Sequence, residues 1–249
     1  MEIIGRGFLA RHLQPLAPRH PHAVALAAGV SSTRTTSPAE FAREEALVRA
    51  AIRSCRATGR RVLFFSTASA AVYGSGAGEG REDRPLVPSN PYGAHKLALE
   101  ELVRTSGVDH LVLRLGHLVG PGQPEHQLLP TLMRCVRDGR VRVLKGADRD
   151  LIAVADVMRI IDLLLERGVE NQTVNVASGA AAAVDDIIGQ LELLLGTVAQ
   201  REYEYAGEGH RICIDKLRAL VPETREFGFG PDYHRFVVES FVRWELCHA

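Results

Sequence analysis

No run of eighteen consecutive apolar residues occurs in the 249-residue sequence, so no segment has the length and polarity of a membrane-spanning helix. An excess of charge of either sign is also missing. Thirty Lys and Arg balance thirty Asp and Glu, which excludes a general nucleic-acid binder held by phosphate electrostatics. Cysteine is sparse: Cys55, Cys135, Cys213 and Cys247 lie far apart with no CxxC pair, so neither a zinc site nor a dense disulfide framework is expected, and mostly buried, reduced thiols are. Lysine is confined to Lys96, Lys145 and Lys216, every other cation being Arg, so a lysine in a chemically useful place stands out. The start Met1-Glu2-Ile3-Ile4-Gly5 lacks the basic head and apolar stretch of a secretory signal, which predicts a mature chain beginning there and a cytoplasmic location.

What is present is the composition of an ordinary globular protein, 46% hydrophobic and 24% charged, in a length that suits one folding unit with a sizeable core. Short apolar runs alternate with helical periodicity. Strands are predicted at Glu2 to Ile4, Ala23 to Ala28, Arg61 to Phe65, Leu111 to Leu115, Val141 to Leu144, Gln172 to Val176 and, at an edge, near Glu202 to Tyr205. Helices are predicted from Leu9 up to Pro15, Pro18 and Pro21, then at 38–58 with Ser37 as N-cap, 91–106, 128–138, 154–167, 184–195 and 233–245. Strand and helix in alternation predict an α/β fold with a doubly wound parallel sheet.

Two stretches carry chemistry. Gly5-Arg6-Gly7-Phe8-Leu9-Ala10 joins the first strand to the first helix, a glycine turn that lets backbone approach a pyrophosphate while Ala10 allows close helix packing. A tight turn without a ligand is the competing explanation. Farther on, Ser69 follows the third strand, and Tyr92 and Lys96 lie four residues apart on one helical face. A phenol ionises near pH ~10, and a neighbouring ammonium would favour the phenolate, bringing Tyr92 toward general acid/base range, with Ser69 steadying the substrate oxygen.

These residues, together with Leu26-Ala27-Ala28, Ser69-Ala70-Ala71-Val72-Tyr73-Gly74, Pro91-Tyr92-Gly93-x-x-Lys96, Arg114-x-x-His117-x-x-Gly120-Pro121, Arg149-Asp150 and Asn175-Val176-Ala177-Ser178-Gly179, resemble the extended short-chain dehydrogenase/reductase superfamily. Within it the resemblance is to the NAD-dependent epimerase/dehydratase branch acting on nucleotide sugars. It implies a Rossmann-like core over 1–118 with 150–178, and a small substrate lobe from 119–149 and 179–249. It implies catalysis by Tyr92, Lys96 and Ser69, and NAD or NADP held by Gly5, Arg6, Gly7, Phe8, Ala10, Ala27, Ala28 and Lys96. A small-molecule substrate would meet Thr67, Tyr73, His117 and Arg149. Tyr73 is a lid or substrate contact whose phenol could substitute for the acid, Thr67 is a buried strand hydroxyl or a helper of Ser69, and Arg149 meets a phosphate or forms an ion pair with a neighbouring Asp.

The chain departs from that family in three places. No Asp or Glu occurs between Glu2 and Glu40, where the family's ribose-binding acid belongs, and only Arg11 to His22 separate Ala10 from a strand that matches the family's fourth. The second and third strands are therefore expected to be missing. A weakly bound dinucleotide, a site completed by another surface or subunit, and an enzyme without dinucleotide are the three consequences, and the exposed sheet edge suggests a homodimer. Arg6, Arg11, Arg19, Arg34, His12, His20 and His22 either grip phosphates or form a solvated basic face. Finally, His117 and Glu44 replace two family asparagines, which changes the donor inventory of the pocket. The expected activity is oxidation, reduction or epimerisation at a carbinol or keto centre of a sugar-like or other small polar metabolite. Non-redox proton-transfer chemistry and a degenerate binding module are the alternatives.

Overall fold

The computed structural model describes residues 1–32, 37–74, 79–205, 209 and 211–248. Five strands form one parallel sheet: β1 (Glu2–Ile4), β2 (Ala23–Leu26), β3 (Arg61–Thr67), β4 (His110–Leu115) and β9 (Gln172–Val176), in that spatial order. Between β4 and β9 the chain makes the short strands β5 (His117–Val119), β6 (Arg140–Lys145), β7 (Asp148–Arg149) and β8 (Leu151–Ala153). After β9 come β10 (Ala182–Ala183) and β11 (Gln200–Tyr205). The sheet is apolar on both sides, as a parallel sheet covered by helices must be.

Side-chain alternation sorts that core into two faces. Val24, Leu26, Val62, Phe64 and Val112 point toward α2 (Pro38–Thr58) and α4 (Pro91–Arg104), meeting Val48, Ile52, Leu99 and Val103. Ala25, Leu63, Phe65, Leu111, Leu113 and Val174 point the other way, toward α1 (Phe8–Leu13), α6 (Val154–Glu166) and α8 (Asp215–Leu220). Ser37 caps α2 by accepting the Glu40 N–H, and Pro38 occupies its first turn. A separate cluster joins α5 (Leu128–Arg137), α7 (Val184–Leu195) and α9 (Tyr233–His248) to β6, through Leu129, Met133, Val136, Val141, Ile188, Leu191, Val238 and Phe241. β6 pairs in parallel with β11.

The strand order bears directly on the expected deletion. β2 pairs with β1 in parallel, and among the described residues no strand pairs with the other edge of β1. The steps β1 to β2, β2 to β3 and β3 to β4 all run in one direction, yet α1 lies on the face opposite α2 and α4. The β1–α1–β2 crossover therefore has the hand opposite to its two successors, where nearly all such units are right-handed.

Several local expectations are corrected. α1 ends at Leu13, and the chain continues as a 3-10 helix over Gln14–Arg19, which tolerates Pro15 at its start and contains Pro18. β2 stops at Leu26 rather than Ala28, where its partner β1 also ends at Ile4; the Ala27 N–H to Ile4 carbonyl bond, at 2.8 Å, belongs to that pairing. α3 (Ala70–Tyr73) and α8 went unpredicted, being too short to show periodicity. The four cysteines are free, but only Cys55 is fully buried and Cys247 is exposed at the end of α9. No described helix is long and apolar enough to cross a membrane.

Candidate active site

β3 ends in Thr67, and two residues later Ser69 starts the single-turn helix α3. The start of α4 is pressed against that turn: a Cβ on Gly93 would lie 1.9 Å from the Ala71 carbonyl oxygen, so only glycine admits this contact. Asn90 caps α4 by accepting the Gly93 N–H at 2.8 Å. Tyr92 is thereby buried beside Ala71, Val30 and Phe41. The Thr67 hydroxyl accepts the Ser69 N–H at 3.2 Å and stands near enough to the Tyr92 phenol to favour its ionised form slightly. Ser69 Oγ itself is buried and has no hydrogen-bond partner among the described residues.

Lys96, one turn along, is buried with its Nζ 5.7 Å from the centre of the Tyr92 ring. Its ammonium donates to Glu44 Oε1 at 2.6 Å, while Glu44 Oε2 accepts the Val30 N–H at 3.0 Å and faces His95 Nε2 at 3.0 Å. His95 in turn stacks on Phe41 with ring centres 4.3 Å apart. Gly29 leaves room for this pair: a Cβ there would sit 2.2 Å from Glu44 Oε1 and 3.0 Å from Lys96 Nζ. Burial works to raise the Glu44 carboxyl, but the Lys96 charge, with the hydrogen bonds, outweighs it and holds Glu44 below the usual carboxylate range. Burial pulls Lys96 below the usual ammonium range, against Glu44 and more weakly Glu100. The expectation for Tyr92 is reversed. Burial first, and the Glu44 charge second, push its phenol above the ordinary range, because the nearby cation is already paired with an anion.

The other predicted residues fall in separate places. The Tyr73 hydroxyl donates to Asn175 Oδ1 at 2.6 Å and accepts from Arg114 at 2.9 Å, and burial pushes it up to about 12. Thr67 lies near Ser69 and Tyr92, its hydroxyl accepting the Ser69 N–H. His117 stands on β5, its N–H donating to the Asp150 carbonyl at 2.8 Å. Arg149 is half-buried on β7 and donates to the Asp148 carbonyl at 2.7 Å, and it forms no salt bridge with a described carboxylate. Asp150 instead accepts from Ser178 N, Ser178 Oγ and Gly179 N, each at 2.8 Å. A cavity of about 360 Å³ beside them is lined by Asp148, Ser178, Gly179, Arg211, Arg218 and Phe229, and contains neither Tyr92 nor Ser69.

At the glycine turn, Gly5 has φ +140° and backs onto β2, where a Cβ would lie 2.3 Å from the Ala27 carbonyl oxygen, which also brings Ala28 close. Gly7 precedes α1 and opens onto free space, Ala10 is buried, Phe8 packs edge-on against His12 and Arg6 is exposed. Part of the basic segment is engaged within the fold. Arg11 bonds the Gly122 carbonyl, His12 lies 3.1 Å from the Pro121 carbonyl, Arg19 pairs with Asp162 and Glu166, and His20 with Asp162. Arg34 lies outside the described residues.

Residues 10–177 match the NAD dependent epimerase/dehydratase family. The chain is 32% identical over 180 residues to a dTDP-glucose 4,6-dehydratase from Streptomyces griseus, covering 68% of itself and 53% of that protein. It is 30% identical over 215 residues to a UDP-glucose 4-epimerase from Azospirillum brasilense, covering 74% and 60%. The chain thus spans little more than half the length of these curated relatives. The solved structure of RMD from Pseudomonas aeruginosa complexed with NADPH superimposes with a TM-score of 0.79 at 22% identity, over 98% of this chain and 97% of that one, a likeness of fold.

Proposed function

The chain belongs to the NAD dependent epimerase/dehydratase family, and from that premise we propose that it is an NAD- or NADP-dependent enzyme acting at a carbinol or keto centre of a sugar-like or other small polar metabolite. The observation that carries this reading is Ser69 Oγ, buried without a hydrogen-bond partner among the described residues, on a turn whose N–H bonds the Thr67 hydroxyl near the Tyr92 phenol. A buried hydroxyl left unpaired costs free energy unless a ligand pairs with it, and orphaned polar atoms collect where ligands bind.

Two features suit a dinucleotide: the open space at Gly7 after β1, and, after β3 two strands along the same C-terminal rim of the sheet, the Ser69 hydroxyl without a partner among the described residues. Gly5, Gly7 and Ala10 would hold its pyrophosphate and Lys96 its ribose, while the adenosine half finds no strand beyond β1. When bound, the nicotinamide would supply or accept the hydride. Ser69 would donate to or accept from the substrate oxygen and fix its position. Tyr92, held as a phenol by burial, would give its proton to that oxygen or recover it, with Thr67 keeping the ring in place.

Calorimetric titration with NAD and with NADP, together with turnover of Tyr92→Phe, tests the reading. Binding of one dinucleotide and loss of turnover by a hundredfold or more in a folded Tyr92→Phe protein are expected, since general acid/base groups contribute roughly 10²–10⁴-fold. Full activity in that variant would overturn the assignment of Tyr92. Absence of dinucleotide binding, with the Tyr92 dependence intact, would make this a non-redox proton-transfer enzyme.

A further inference from the structure

Glu44 is nearly inaccessible to solvent and comes from a helix 52 positions away from the lysine it meets. Every contact around it fixes one arrangement. Oε1 takes the Lys96 ammonium, Oε2 takes the Val30 N–H and faces His95, and only a glycine at position 29 leaves room for the pair in this place. Lys96 Nζ is thus held 5.7 Å from the centres of both the Tyr92 and Phe64 rings. We propose that Glu44 is a positioning residue of the active site, which clamps Lys96 beside Tyr92, neutralises its charge and so keeps Tyr92 in the phenol form, a proton donor at the start of the reaction. This deepens the catalytic reading of Tyr92 and rests on it.

The electrostatic case follows from the neighbours on each packed element. α2 brings Glu44, α4 brings His95, Lys96 and Glu100, and β3 brings the neutral Thr67 hydroxyl to the phenol. An unpaired ammonium at this place would draw Tyr92 toward phenolate, and Glu44 cancels that attraction and adds a repulsion of its own. The asparagine expected at position 44 could hold Lys96 by a hydrogen bond but could not cancel its charge.

The phenol can be read without substrate, cofactor or turnover. The full chain labelled at the ring carbon bearing the hydroxyl has five tyrosine signals in NMR, and Tyr92→Phe identifies the one to follow. In the wild type that signal is expected to stay still up to pH ~11, above the ordinary phenol range. In Glu44→Gln it is expected to begin moving below pH ~11, the ionisation constant having risen tenfold or more. A signal that stays still in folded Glu44→Gln overturns the proposal. If Glu44→Gln does not fold, Glu44→Asn offers Lys96 a hydrogen bond without a charge, and its Tyr92 signal is again expected to move where the wild type does not; a still signal there overturns the proposal equally. Failure of the catalytic reading shows separately, as undiminished turnover of Tyr92→Phe, and leaves this titration unaffected.

Discussion

α4 carries half of each of two buried ion pairs, four residues apart, and they are built differently. Glu100 takes Arg114 through both carboxylate oxygens, at 2.6 to 3.2 Å, accepts the Ser66 hydroxyl as well, and leaves Arg114 a further N–H for the Tyr73 oxygen. Lys96 has Glu44 as its hydrogen-bond partner and no second one among the described residues. The consequences differ in sign. Burial works against the Arg114 cation, but the Glu100 bonds overcome it and raise Arg114 above its usual range, whereas burial prevails at Lys96 and lowers it. A planar fork that meets a carboxylate along two edges makes a saturated structural joint, and a point charge with donors to spare leaves capacity for a ligand. One helix thus supports a fixed strut and an adjustable site.

Breaking the strut should have the largest effect. Arg114→Met leaves Glu100 buried without its cation and frees the Tyr73 hydroxyl, so a loss of about 3–5 kcal/mol is expected in urea denaturation, at the level seen when one partner of a buried pair is removed. A loss below about 1 kcal/mol would place Arg114 among ordinary surface pairs.

Asp150 sharpens the comparison as a buried carboxylate with three hydrogen-bond donors and no cation. Burial outweighs those bonds and raises it to about 6, the reverse of Glu44. Because the folded chain holds this proton more tightly than the open chain, whose carboxyl titrates near pH ~4, the stabilisation is full below about pH 4 and is lost as pH rises through about 6. Relative to Asp150→Asn, the wild type should lose on the order of 3 kcal/mol between pH 4 and pH 6.5, at ~1.4 kcal/mol per pH unit of difference. Melting of both proteins across that interval measures it; parallel curves would mean that Asp150 is ionised throughout. The smallest effect belongs to Ser66→Ala, which removes one hydrogen bond from a carboxylate that keeps its arginine. About 1 kcal/mol is expected, with no change in the Tyr92 titration.

The sheet was legible because its strands are short apolar runs framed by glycine and proline, and α2 and α7 were legible to within a residue because their caps and periodicity agree. The line Ser69, Tyr92, Lys96 could be read because its members lie within one strand–turn–helix unit. What could not be read depends on distant partners. Glu44 stood out as an unusual residue, but the direction in which it moves Tyr92 depends on a pairing across 52 positions. The basic N-terminal segment looked free because its acids, Asp162 and Glu166, come from α6 more than 140 positions later. The Tyr73 hydrogen bond could not be read because Asn175, its acceptor, arrives only with the last strand of the sheet.

The β1–α1–β2 crossover constrains how the sheet could be extended. With its helix on the face opposite α2, β1 is wound as if the next strand should lie on its bare side, and the chain reaches β2 by doubling back. Such a connection is what remains when a strand-and-helix segment is cut from between α1 and β2 and the ends are rejoined. The same junction, Leu16 to Ala23, is where an engineered segment could be spliced back in without disturbing the register of any existing strand.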